Sequence, residues 1–95
     1  MPKAVVHGKN DLQSIPGVGQ SIALDLAELG YHRVSDLRGQ DAEAMYETIC
    51  TRRGVRQDRC LLYVFRCAVY YAGRKRHDPE LLKWWNWKHA VPRAS

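Results

Sequence analysis

Apolar residues recur at helical spacing through most of the chain. Ile22, Ala23 and Leu26 follow Gly19 at i, i+1 and i+4, which predicts a helix running to about Leu29 and stopping at Gly30. Leu12 and Ile15 come before it. Pro16 biases Ile15 away from the right-handed helical region, so a short first helix, capped by Asn10 or Asp11, closes before residues 16–19. Further on, Ala42, Met45, Tyr46, Ile49 and Cys50 fall at i, i+3, i+4, i+7 and i+8, an amphipathic helix capped by Asp41 and ending near Arg52. Ser35 is read as the cap of a brief turn at 36–38 that leads into Gly39 and Gln40. Asp58 caps the longest and most apolar helix, 59 to about 73, with Leu61, Val64, Phe65, Ala68 and Ala72 on its core face and Cys60, Cys67 and Tyr71 on its shoulder. Asp78 and Pro79 open a short Trp-rich helix over 80–85. The expectation is all-α: one compact domain of about five to six helices over residues 10–88, with 1–9 and 89–95 as flexible tails.

The turn between the first two helices carries the most specific chemistry. Gly17 and Gly19 can both adopt positive φ and leave the backbone bare, and the helix that starts after them offers unpaired N–H groups and the positive end of a dipole. Such a start suits an anion such as a phosphate. The spacing Leu12-x-x-Ile15-Pro16-Gly17-Val18-Gly19-x-x-Ile22-Ala23-x-x-Leu26 resembles the helix-hairpin-helix motif. That resemblance implies contacts from the hairpin at Pro16, Gly17, Val18, Gly19, Gln20 and Ser21 to the DNA backbone without sequence readout, and in some members a monovalent cation on hairpin carbonyls; no other cofactor is expected. Residues 35–50 look like a worn second copy, so the chain resembles a tandem helix-hairpin-helix domain. The copy has no Gly-x-Gly, and Asp41 puts a negative charge where a phosphate would have to come, so the degenerate unit is expected to be structural. The run from Asp58 to Ala72, followed by Pro79-Glu80-x-Leu82-Lys83-Trp84-Trp85-Asn86-Trp87, resembles a small bacterial family of stand-alone helix-hairpin-helix proteins of pathogenicity-locus or mitomycin-resistance type. The resemblance implies a role near DNA damage or virulence and puts no catalytic residue on the chain.

Charge complicates the picture. The chain carries net charge +5, yet residues 1–51 hold four bases against seven acids, a net of −3, and residues 52–95 hold eleven bases against three acids, a net of +8. Attraction to nucleic acid is therefore expected from Arg66, Arg74, Lys75 and Arg76 rather than from the hairpin's own surroundings. Arg59, Tyr63, Arg66, Tyr70 and Arg74 lie along one helical stripe with two readings. Arginines there can meet successive phosphates beside stacking tyrosines, or their stems can simply cover aromatic rings on a solvated face.

Other chemistries find little support. The three cysteines read as reduced, buried thiols; Cys60 and Cys67 are about 10 Å apart along one helix, too far for a bridge within it. No CxxC pair is present, so no metal site is expected. Glu43 and Glu47 share a solvated face, which does not make a catalytic pair, and the chain is read as non-enzymatic. No apolar run reaches the about 20 residues of a membrane span, and the first ten residues do not form a secretion leader, so a cytoplasmic location without membrane contact is expected. The function read from these features is sequence-independent binding of nucleic acid, double-stranded or branched DNA. The alternative is a protein-interaction or homodimerisation domain that uses Trp84, Trp85 and Trp87.

Overall fold

The long helix over Arg59–Gly73 organises the molecule: the helix over Ala42–Arg53 and the turns at Val34–Leu37, Pro79–Leu82 and Trp84–Trp87 pack against it. In the computed structural model, residues 11–88 are described, so Asn10 as a cap and the two tails lie outside them. In chain order, a 3-10 turn at Asp11–Ser14 leads into α1 (Gln20–Glu28), a second at Val34–Leu37 into α2 (Ala42–Arg53), α3 (Arg59–Gly73) follows directly, and two further 3-10 turns, Pro79–Leu82 and Trp84–Trp87, end the described chain. No strand occurs among the described residues, and the fold is all-α.

The aspartate caps read at 41, 58 and 78 form, Asp78 by accepting the Glu80 N–H. The Asp41 carboxylate accepts the Glu43 and Ala44 N–H groups, and that of Asp58 accepts the Cys60 N–H at 2.9 Å. After α1, Gly30 takes φ +99 and the Tyr31 N–H bonds back to the Leu26 carbonyl, a left-handed stop. One continuous core results. It joins Leu12, Ile15 and Leu26 of the first unit to Leu37, Tyr46 and Ile49 of the second and to Phe65 and Ala68 of α3. Leu62, not assigned to the α3 core face in the sequence reading, is buried there as well.

Three local expectations are corrected. Asp11 is the first residue of the opening turn rather than the residue that caps it, and its carboxylate accepts the Val34 N–H at 2.7 Å, which ties the first unit to the second. Ser35 does not cap the turn at Val34–Leu37; the Asp36 carboxylate reaches back to the His32 and Arg33 N–H groups instead. Those two hydrogen bonds hold the Asp36 carboxyl below its ordinary pKa. The single helix expected over 80–85 is two 3-10 turns broken at Lys83. Its Glu80 and Leu81 carbonyls, which a continuing α-helix would bond to N–H groups four residues on, accept instead from the Asn86 amide at 2.6 Å and the Trp87 indole N–H at 2.8 Å. Side-chain donors replace the helical ladder.

Candidate nucleic-acid interface

The first turn folds around one left-handed glycine. Gly17 takes φ +87, while Val18 turns into the core and donates its N–H to the Ile15 carbonyl at 3.0 Å. Gly19 does not use positive φ, contrary to expectation. It is extended, at φ −95 and ψ −166, and acts as the N-cap residue of α1, its carbonyl accepting the Ala23 N–H. No side chain caps α1, whereas aspartates cap α2 and α3. Gly19, Gln20 and Ser21 are all exposed. The first-turn N–H groups of α1 thus face solvent at the positive end of the helix dipole.

What stands beside this turn limits the direction of approach. The indole of Trp84 lies over Gly17, so close that a Cβ added there would sit 2.8 Å from Trp84 Cδ1. Next to this contact is a cleft of about 440 Å³ whose walls include Ser21, Asp25, Asp58 and Cys60. Its carboxylates repel an anion entering from that side. Arg53 offsets part of this, bridging Asp25 and Glu28 at 2.7 Å each, and the two bonds hold its guanidinium charged. The open side is the one formed by Gly19, Gln20 and Ser21.

The predicted basic residues are not brought to that turn. Cys60, near the start of α3, lines the cleft beside Gly17, and Arg74, just past its end, lines another beside Gly39. Fourteen residues of helix separate the two, about 21 Å at 1.5 Å per residue. Arg74, Lys75 and Arg76 are exposed, and none of the ion pairs among the described residues includes them. Arg66 differs from these three. With its side chain 12% exposed, it meets the Glu43 carboxylate at 2.6 Å and donates to the Trp87 carbonyl at 2.7 Å. Of the stripe's two readings, ring covering describes the geometry: Arg59 and Arg66 lie over Tyr63, and Arg74 lies over Tyr70 at 5.4 Å.

The three tryptophans have separate places. Trp84 is half-buried on Gly17, Trp87 is tied to Leu81 and packs on Tyr70 at 5.5 Å, and Trp85 is 55% exposed. The cysteines also divide. Cys50 and Cys67 are buried and burial pushes the Cys67 thiol up to about 11, but Cys60 is exposed, contrary to the expectation for all three. Its hydrogen bond with Asp58 raises the Cys60 thiol too. Among the described residues, no group of His, Cys, Asp and Glu could hold a metal, and no helix is long and apolar enough to cross a membrane.

Arg38 went unremarked as a binding candidate. It donates from Nε to the Ala72 carbonyl at the end of α3. An arginine directly before the turn glycine Gly39 was the available signal.

Comparison with known proteins matches residues 6–91 to a family model described as pathogenicity locus (Cdd1). A mitomycin resistance protein, McrB, of Streptomyces lavendulae is 31% identical over 78 residues, which cover 82% of this chain and 70% of that protein. No solved structure matches.

Proposed function

The chain belongs to the pathogenicity-locus family, and from the geometry of its first turn we propose that it is a non-enzymatic module that binds the backbone of double-stranded or branched DNA without reading sequence. In this reading, residues 11–28 act as a helix-hairpin-helix motif and residues 34–53 as its degenerate copy. One observation carries it: α1 begins on an extended glycine, with no capping side chain and with Gly19, Gln20 and Ser21 open to solvent. Phosphate oxygens accept from those amides, and the Ser21 hydroxyl adds a donor. A cation on the turn carbonyls is not needed for this contact. The Ile15 carbonyl already accepts from Val18.

Arg74, Lys75 and Arg76 supply a second contact rather than distant steering. The rise of α3 from Cys60, beside the first turn's cleft, to Arg74 is about 21 Å, roughly two Debye lengths at 0.1 M salt, so their attraction is felt chiefly where they meet phosphate themselves. The test is a titration of labelled duplex at rising salt. The log of the affinity should fall with log salt at a slope of about −0.9 per phosphate neutralised, and Lys75→Gln should flatten that slope by about one contact. No binding to duplex or branched DNA at low salt overturns the proposal. A protein-interaction reading keeps one exposed indole, Trp85, as its anchor.

A further inference from the structure

The larger cleft lies away from the first turn, between the second turn and the end of α3. It encloses about 670 Å³, within the range of about 300–1,000 Å³ found for small-molecule sites. A second hollow of about 270 Å³ shares Arg38, Gly73 and Arg74 with it and adds Lys75, so the two form one groove. Arg38, which lines both hollows, is held there by the bond from its Nε to the Ala72 carbonyl, and neither of its Nη groups takes part in a hydrogen bond or ion pair among the described residues. Arg74 lines the same groove, over the Tyr70 ring. Two carboxylates also reach this cleft, and both are engaged: Asp41 caps α2 and Glu43 pairs with Arg66. Asp41 keeps its negative charge while it caps, and against it Arg38, Arg74 and Lys75 leave the groove net positive.

Its other wall is apolar. Tyr70 and Trp87, tilted 46° to one another, stand beside half-buried Val69. Gly73 leaves the rim bare, since a Cβ there would meet nothing within 4 Å. Guanidinium groups beside apolar and aromatic side chains match a nucleotide, with phosphate on the arginines and base on the aromatic wall.

The geometry points to this groove as a site for an unpaired nucleotide of a nucleic-acid strand, with its phosphate between Arg38 and Arg74 and its base against Val69, Tyr70 and Trp87. The inference rests on the nucleic-acid reading above and adds single-stranded character at a second, separate surface. It gives the degenerate second turn a role, and it gives a branched or frayed DNA end two places to bind.

The test uses the full chain with a short labelled oligothymidylate, a blunt duplex and free thymidine 5′-monophosphate at low salt, followed by amide shifts and anisotropy. The oligothymidylate should shift Gly39, Gln40, Gly73 and Arg74, and Arg38→Gln should weaken its binding about tenfold while leaving shifts at Gly19 to Ser21 with duplex intact. Gly73→Glu, which blocks the groove without removing the Arg38 bond, should have the same effect. Oligothymidylate binding unchanged by both variants, or shifts confined to residues 19–21, overturns the inference. Saturation of the same amides by the free monophosphate at equal concentration overturns the strand as the occupant. Loss of duplex binding alone, with the oligothymidylate response at Gly73 kept, overturns the proposed function and leaves the groove standing.

Discussion

Gly17 and Trp84 are in direct contact, the indole seated where any side chain at position 17 would have to be. The contact joins the first turn to the Trp-rich segment that follows α3. Gly17→Ala meets both a left-handed backbone and this ring, and should cost about 1–3 kcal/mol from the backbone alone. Gly19→Ala should cost no more than about 1 kcal/mol, because its φ is ordinary and the space beside it is open. Urea denaturation compares the two. Trp84→Ala combined with Gly17→Ala should fall short of the summed losses by about 1 kcal/mol, since truncating Trp84 removes the clash.

Arg66 is expected to behave as a structural residue. It links α2, α3 and the Trp84–Trp87 turn through Glu43 and the Trp87 carbonyl. Arg66→Ala should lower stability by about 1–3 kcal/mol, and Glu43→Gln, at a more exposed carboxylate, by less than about 1 kcal/mol. Arg74→Gln should leave the unfolding midpoint nearly unchanged. Chemical denaturation of the three variants separates them.

Thiol reactivity should be graded by burial. At neutral pH, Cys60 is the cysteine that alkylates among the three, and it does so more slowly than a free thiol because its bond with Asp58 raises its pKa. Asp58→Asn removes that effect and should speed the reaction. Cys67, held protonated up to about 11, should react only on unfolding. Mass spectrometry after brief alkylation reads all three sites.

Acid should loosen the turn at Val34–Leu37. The Asp36 carboxyl titrates below its ordinary value of 3.8 in the folded chain, so its contribution is complete above that pH and is lost as pH falls from there through the folded value. Asp36→Asn should lower stability at neutral pH and flatten the acid side of the stability profile. Thermal unfolding followed from pH 6 to pH 2, roughly the span over which carboxylates titrate, checks the sign.

Much of the fold was legible because its signals are local. Asp41 and Asp58 stand immediately before the helices they cap, and the core face of α3 follows from spacing alone. What escaped depends on residues distant in sequence. Asp11 looks like a cap until Val34 arrives to bond it, and Arg66 looks like a phosphate contact until Glu43 does. The broken last helix was hidden because nothing in its periodicity says that Asn86 and Trp87 will take the Glu80 and Leu81 carbonyls. For the candidate interface, sequence located the turn and the basic cluster separately. Only the path of α3 shows that they lie at opposite ends of one helix.

The central claim is that the uncapped start of α1 receives phosphate. A titration of the full chain with a short blunt duplex, followed through backbone amide shifts at low and then moderate salt, tests it most directly. The account predicts saturable shifts at Gly19, Gln20 and Ser21 that retreat as salt rises. Shifts at residues 74–76 with those three amides unmoved would contradict it.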